Sequence, residues 1–394
     1  MLAAIIGTAL ALGLLSGWRL FRKNFLEVSG DIRPNAPPDA SPGISPDDPA
    51  GPGRNGDPRP RSARRLSVVI PARNEAANLP HLLESLRSQT LRPEEIVVVD
   101  DGSEDGTGEI AARYGTKVVR LDNLPRGWTG KNWALWNGFR HTTGDLLVFL
   151  DADVRLAPRA LEALVAARER TGGVISVVPY HVAPRFREKL ALVFNLLGIF
   201  AFMSPFEANN ARKGLYGSCI VTAREDYERV NGHAGVRSEV LDDLTLGARY
   251  AAAGIPVANF LGYGLVSFRM YPGGLRSAIE GFAKSAALST SILRRETLLL
   301  CALWAIGLFM SELFFFLWHT PLGWLLAIGY VLYALQLFRL ARYAGTFGVL
   351  MPALHVLPAW FFAGVMLYSV YQTSLLGRVN WKGRQIRVGG GRDA

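Results

Sequence analysis

Apolar residues in this chain fall into runs of two lengths, and each length predicts a different environment. Strand-length runs stand at Leu66–Ile70 (LSVVI), Glu95–Val99, Lys117–Leu121 and Leu146–Leu150 (LLVFL). They are rich in β-branched residues and apolar on both faces, as expected of strands buried inside a parallel sheet. A helical stretch over Ala76–Ser88 follows the first run, and another helix follows Gly127–Asn132. Strands alternating with helices at this spacing predict an α/β fold with a mostly parallel sheet and right-handed crossovers. Long runs occupy the rest: Met1–Trp18, Leu190–Met203 within Phe186–Phe206, Thr297–Trp318, Leu322–Phe338 and Val349–Tyr371.

The long runs predict membrane segments. Met1–Trp18 carries no charge and is followed by Arg19, Arg22 and Lys23, so it reads as an anchor spanning residues 1–23 with its basic end in the cytoplasm. A cleavable signal would carry its positive charges before the apolar run. The C-terminal region, 296–376, holds two spans around the turn His319-Thr320-Pro321, flanked by Arg294-Arg295 and by Arg339 and Arg342. Val349–Tyr371 contains Pro352 and Pro358. If it spans, the basic tail 377–394 lies outside, against the charge rule; a re-entrant or broken segment keeps it inside. Within the domain at 65–290, about 186–206 and about 269–290 read as interfacial helices, the first alternatively as a buried core helix.

Composition sharpens this picture in one region. Nine of the 22 prolines fall between Pro34 and Pro60, among Gly, Asp and Ser, so residues 24–64 read as a disordered tether. Its end, Arg54–Arg65, holds five arginines that either follow anionic headgroups or are simply solvated. A net charge of +10 fits a membrane-surface protein, while the chain has no groove-reading or aromatic nucleic-acid motif beside its charge. Cys219 and Cys301 have no partner motif, so neither a disulfide framework nor a zinc site is implied.

Chemistry gathers where the short runs end. Pro71-Ala72-Arg73-Asn74-Glu75 follows the first, Asp100-Asp101-Gly102-Ser103 the second, and Gly127-Trp128-Thr129-Gly130-Lys131 the third. The fourth ends in Asp151-Ala152-Asp153; on a strand, residues i and i+2 share a side, so these carboxylates are expected to leave the sheet's carboxyl edge together. Paired carboxylates suit a divalent ion holding a diphosphate. Glycines beside Lys131 allow backbone and cation to approach phosphate. Taken alone, each acidic cluster reads equally as a solvated turn, and Asp242-Asp243 as a helix N-terminal charge pair.

Together the motifs IPARNE (70–75), VVDDGSEDGT (98–107), FLDADV (149–154) and LDDLTLGAR (241–249) resemble those of the family 2 glycosyltransferases, in that family's order. GWTGKNWA near Lys131, REDYERVNGH (224–233), FRMYPGG (268–274) and NWKGRQ (380–385) are similar to a membrane-bound branch that glucosylates carotenoid acids. The resemblance implies a GT-A nucleotide-sugar-binding domain between an N-terminal anchor and C-terminal transmembrane helices. It implies an inverting transfer of a hexose, with glucose from UDP-glucose expected, to a lipid acceptor such as a carotenoid or other polyisoprenoid. The enzyme would sit in the cell (inner) membrane, multi-pass, with its catalytic domain in the cytoplasm and membrane lipids as partners.

Carried over by position, the resemblance makes Pro71, Arg73, Glu75 and Asp101 the nucleoside pocket and Lys131 and Asp151 donor-binding groups. Asp153 becomes the ligand of Mg²⁺ or Mn²⁺, and Asp243, with Asp242, the general base. Trp128, His233, Arg269, Trp381, Lys382 and Arg384 become candidate acceptor or diphosphate contacts. The acidic form of Asp242-Asp243 departs from the carotenoid-acid branch and points to an acceptor hydroxyl that must lose a proton. Two alternatives stand beside this reading. A processive polysaccharide synthase would carry Gln-x-x-Arg-Trp, which Gln336–Leu340 matches only in part. A non-catalytic membrane scaffold would have no reason to keep four site acids.

Overall fold

A computed structural model of the protein describes residues 1–28, 65–286 and 293–372, and the backbone alone of 378–381 and 384–387. Side chains of 284–286 lie outside the described set, as does the tether from residue 29 onward, with nearly all of Arg54–Arg65.

Helix α1 (Leu2–Leu20) leads into the first half of the sheet: β1 (Leu66–Ala72), α2 (Leu79–Arg87), β2 (Glu95–Asp100), α3 (Thr107–Arg113), β3 (Lys117–Arg120), α4 (Gly130–Arg140) and β4 (Leu146–Leu150). Then follow β5 (Val154–Leu156), α5 (Ala160–Thr171), β6 (Val174–Val178), β7 (Tyr180–His181), α6 (Phe186–Lys189) and α7 (Leu192–Met203). The domain closes with β8 (Cys219–Ala223), α8 (Arg224–Arg229), α9 (Asp242–Ala252), β9 (Val257–Leu261), β10 (Val266–Phe268) and α10 (Leu275–Ala286). Seven strands form one sheet in the order β3-β2-β1-β4-β8-β6-β9. Every pairing is parallel except those of β8, which runs antiparallel to β4 and β6. A small second sheet, β5-β10-β7, stands at its carboxyl edge.

Alternation along the strands decides the layers. Val68, Ile70 and Val148 pack with Leu79, Leu82 and Leu164 of α2 and α5, while Val69, Leu147 and Phe149 pack with Leu135, Leu246 and Tyr250 of α4 and α9. Both faces are covered, which explains why the runs are apolar throughout. Helix α2 starts at Leu79, three residues later than the periodicity suggests, because Asn74–Ala76 are otherwise engaged. Asn74 is left-handed (φ 53°), and the amides of Asn74, Glu75 and Ala76 donate to Ser103, Thr107 and Asp105.

The long runs form a helical bundle under the domain: α11 (Arg295–Glu312), continued by α12 (Phe314–Leu317), then α13 (Gly323–Ala344), α14 (Leu350–Ala353) and α15 (Val356–Val370). Four helical segments, Leu2–Leu20, Phe186–Glu207, Arg295–Leu317 and Gly323–Ala344, are long and apolar enough to cross a membrane. Helix α1 runs antiparallel to α11 at close range through Gly13, Gly17 and Gly307. A Cβ on Gly13 would strike the Tyr333 hydroxyl and lie 2.9 Å from the Leu303 carbonyl, the small-residue packing typical of membrane helices. Gln336 accepts from Trp304 Nε1 (3.0 Å) and donates to the Leu14 carbonyl (2.8 Å), tying three helices together.

Several boundaries differ from the sequence expectation. Residues 24–28 are not tether: Phe25 bridges Leu261, Leu261 N donates to Asn24 O at 2.8 Å, and Leu26 is buried, so the chain leaving α1 lies on the edge strand β9. Phe186–Phe206 splits into α6 and α7, and Leu192, Leu196 and Phe200 share a core with Ile6, Trp304 and Leu337. Residues 269–274 form a turn, and the amphipathic helix expected from 269 begins at Leu275. Helix α13 runs to Ala344, six residues past Phe338. The segment after it breaks at Leu354–His355, and both of its ends meet the catalytic domain. Thr346 N donates to His181 O, and Ser369 donates to Ala283 O of α10.

Candidate active site

Asp151, Ala152 and Asp153 connect the large sheet to the small one. They form a turn, closed by Val154 N donating to Asp151 O at 3.1 Å, and not the strand end that i, i+2 spacing predicts. The consequence for the side chains is similar. Ala152 is buried and both acids are partly exposed.

Lys131 reaches this turn from the first turn of α4, whose Thr129 cap accepts from Asn132 N. Its Nζ lies 2.8 Å from Asp151 Oδ1. Burial opposes the charge, but the carboxylates of Asp151, Asp242 and Asp243 outweigh it and hold the ammonium well above the usual lysine range. Sequence reasoning passed over the residue that fixes this approach. Asn132 is fully buried and donates to the carbonyls of Val236 (2.8 Å), Glu239 (3.2 Å) and Arg237 (3.3 Å), tying α4 to the segment that leads into α9.

Helix α9 opens with the acid pair. Asp243 Oδ2 accepts from Gly217 N (2.9 Å) and Oδ1 from Leu244 N (3.0 Å), and fully buried Leu246 anchors the helix. Burial, then the charge of Asp242, pushes the Asp243 carboxyl up to about 6, with Lys131 and the two amides pulling the other way. Asp242 turns inward toward His233 Nε2, 3.8 Å away. His233 N donates to the Tyr227 hydroxyl (3.0 Å), which donates in turn to Nδ1 (2.7 Å), so the ring's remaining proton faces Asp242. With 1% exposure and its ionisation suppressed to about 4 by burial, His233 lies behind the acid pair. It does not reach the open site as a diphosphate or acceptor contact would.

The nucleoside residues also assemble. Pro71 ends β1 beside Val99, Arg73 Nη1 lies 3.5 Å from Asp101 Oδ2, and Glu75 accepts from Asn78 (2.8 Å). Burial raises the Asp101 carboxyl against the pull of Arg73. Trp128 stacks edge-on against Trp133 at 4.9 Å. Arg269 is committed to Glu188 at 2.8 Å, away from the acids. The strands β11 (Arg378–Trp381) and β12 (Arg384–Arg387) form a hairpin alongside α10, but the side chains of Trp381 and Arg384, and Lys382 altogether, lie outside the described residues.

Two tyrosines wall the site. Burial, then surrounding charges that include Asp153 and Asp151, raises the phenols of both Tyr216 and Tyr271 far above the usual range. Tyr271 has a left-handed backbone (φ 50°), and its ring lies against Gly281 of α10. The sequence offered one signal, a Tyr-Pro-Gly-Gly turn in which a non-glycine residue takes the strained conformation.

The donor set fits a hard divalent ion. Asp151 and Asp153 supply oxygen, and no cluster of three His, Cys, Asp or Glu closes a protein-only cage among the described residues. Mg²⁺ typically binds through one or two carboxylates completed by substrate phosphates and water.

An α/β sheet with acids and a lysine at its carboxyl edge defines a nucleotide-sugar transferase architecture. Residues 67–230 match the model of glycosyl transferase family 2. The chain is 32% identical over 335 residues to the 4,4'-diaponeurosporenoate glycosyltransferase of Staphylococcus aureus (strain MRSA252), covering 82% of this chain and 89% of that one. It is 34% identical over 339 residues to the enzyme of the same name from Staphylococcus haemolyticus (strain JCSC1435), covering 83% and 90%. Among solved structures it is similar to a mannosyltransferase from Pyrobaculum calidifontis in complex with GDP-Man and Mn²⁺. That likeness has a TM-score of 0.51 and 18% identity, and covers 95% of this chain and 99% of that one. The chain belongs to glycosyl transferase family 2, and it is a glycosyltransferase of the GT-A fold.

Proposed function

We propose that the enzyme transfers glucose from UDP-glucose, with inversion, to a carotenoid-type acceptor in the membrane. The observation that carries this reading is that Lys131, Asp151, Asp153 and Asp243 meet under a wall, Tyr271, that rests on α10, the helix joining the catalytic domain to α15. A charged donor and an apolar acceptor can therefore reach one point from opposite sides. The names of the relatives support a carotenoid acceptor.

In this reading Pro71, Arg73, Glu75 and Asp101 hold the nucleoside. Lys131 stays cationic beside the diphosphate, positioned by Asp151. Asp153, with Asp151, would hold Mg²⁺ or Mn²⁺, which when bound supplies Lewis-acid neutralisation of the leaving diphosphate. Asp243 faces the acceptor as base, its raised pKa placing it near working pH. Asp242 and the neutral His233 fix the start of α9. Trp128 lies in the same loop as Lys131, as a contact for the incoming groups. The processive alternative loses support, since Gln336 is spent within the helical bundle.

Orientation follows from charge. Arg19 and Arg22 at the end of α1, Arg295 at the start of α11 and Arg342 at the end of α13 all lie at the catalytic end of the bundle, so the positive-inside rule places the domain in the cytoplasm. The broken segment 346–372 is then re-entrant, and the tail stays inside.

The test uses the full chain in liposomes with radiolabelled UDP-glucose and 4,4'-diaponeurosporenoate. Label is expected in the organic phase as a glucosylated polyene. UDP release without organic-phase label would overturn the acceptor, and labelling from GDP-mannose alone would overturn the donor.

A further inference from the structure

Beside Tyr271, on the side away from the acids, lies a partly open recess of about 280 Å³. Its walls come from four places: the β7 end (His181), α6 and the start of α7 (Arg187, Ala191), the 270–275 turn, and the facing helices α10 and α15 (Phe282, Phe361). Most of this lining is apolar. Two polar atoms in it are not accounted for.

The first belongs to His181, 1% exposed. Asn195 Nδ2 donates to the Ala191 carbonyl at 2.9 Å, which can only accept, and this fixes the amide's orientation. The same Nδ2 lies 3.0 Å from His181 Nδ1, which therefore accepts. The ring is neutral, burial having lowered its ionisation to about 4, so its proton sits on Nε2. That N–H is buried and has no partner. The second is Arg187 Nε, also buried without a partner. Arg187 spends one terminal nitrogen on the Pro272 carbonyl at 3.1 Å, and no ion pair joins it among the described residues. The neighbouring acid, Glu188, is already taken by Arg269 at 2.8 Å.

An unpaired buried donor costs roughly 1–3 kcal/mol, so two in one recess call for an acceptor group from outside the chain. A cation with an unpaired N–H beside a neutral donor selects an anion that brings oxygens. The mouth is apolar, with Phe186 53% and Leu275 43% exposed, and α15 leads from it into the bundle core. The bound molecule therefore carries its oxygens on one end of an apolar body.

We propose that this recess is the acceptor-head site and that it takes a carboxylate, bridged by Arg187 and His181 before it passes Tyr271 to the sugar. The inference rests on the proposed lipid-acceptor function and deepens it. The acceptor class becomes an apolar polyene acid in place of the hydroxyl that the Asp242-Asp243 pair alone suggests. Arg187 and His181 are specificity residues here, positioning the head without touching the donor.

The test compares binding of all-trans-retinoic acid and of retinol, its alcohol, to the full-length enzyme in detergent, read by tryptophan quenching, and measures transfer from UDP-glucose in parallel. Arg187→Gln should weaken retinoic acid binding ten-fold or more and retinol binding less than two-fold, with Arg187→Lys intermediate for the acid. Comparing the two ligands within one variant separates recognition from misfolding. Equal losses for both ligands, or no acid binding to the wild type, would overturn the recess as a carboxylate site. Arg187-dependent acid binding without any glucose transfer would leave the recess standing and remove the transferase reading. Transfer to the acid that Arg187→Gln does not weaken would do the reverse.

Discussion

Gly217 donates its backbone N–H to Oδ2 of Asp243 at 2.9 Å, and a Cβ built on Gly217 would lie equally close to that oxygen. The glycine is there so that β8's approach can hold the carboxylate without pushing it away. Gly217→Ala should therefore shift Asp243 while leaving the fold intact. Because misplacing a catalytic group by about 1 Å can cost on the order of 10²-fold, turnover should fall by about that factor. Unchanged turnover alongside an unchanged melting temperature would show that Asp243 need not hold this position.

Asp153→Asn should abolish most transfer, since an amide is a poorer ligand for a hard cation and carries no charge. The variant should stay folded and membrane-bound. A metal titration of UDP-sugar binding is the direct check. Wild-type affinity for Mn²⁺ in the variant would remove Asp153 from the metal site.

How the acids could be read from sequence, and what could not, follows from contact range. The strand ends Pro71, Asp101 and Asp151 were legible because each depends on a local pattern, an apolar run followed by polar residues. The insertion of antiparallel β8 between β4 and β6 was not, because nothing near Cys219–Ala223 states its direction. Tyr216 and Tyr271 reach the acids only through tertiary folding, and Asn132 acts through carbonyls more than a hundred residues away. Residues 24–28 read as tether because their partner strand, β9, lies far along the chain. The extra turns of α13 past Phe338 were hidden by Arg339 and Arg342, whose long stems let a helix continue beyond its apolar run.

Lys131 lowers the Asp243 carboxyl, while burial and Asp242 raise it to about 6. A general base works ionised, so activity should be lost as pH falls through that value and retained above it. UDP-glucose hydrolysis without acceptor suits the measurement, because water must surrender a proton. The acid limb of kcat/KM should lie near the raised value. Removing the cation with Lys131→Gln should move that limb to higher pH. A limb that stays put, or moves down, would show that Lys131 does not act on the base.

Both ends of 346–372 meet the catalytic domain, so the tail should share its side of the membrane with the residue 29–64 tether. In a variant with Cys219 and Cys301 replaced, a single cysteine after Ala394 and another in the Pro34–Pro60 stretch should both resist an impermeant thiol reagent in intact cells. Both should react after permeabilisation. Labelling of the tail alone would make α14 and α15 a true span. Labelling of both would turn the whole enzyme around.

The role of Asp243 separates the two kinds of acceptor. An acid with a pKa of about 4.3 is already ionised at neutral pH and can attack without a base, whereas an alcohol or water must lose its proton as it attacks. The base contributes about 10² to 10⁴ in rate where a proton must move. With the recess at Arg187 and His181 selecting a carboxylate, Asp243→Asn should lower transfer to a polyene acid by less than about ten-fold. The same variant should lose the full base contribution in hydrolysis and in transfer to the matched alcohol. UDP-glucose affinity, measured separately, should change little, since the nucleoside pocket at Pro71, Arg73 and Asp101 lies on the other side of Lys131. A full loss on the acid as well as the alcohol would mean that Asp243 does more than accept a proton. Equal rates for wild type and variant on every acceptor would reject it as the base.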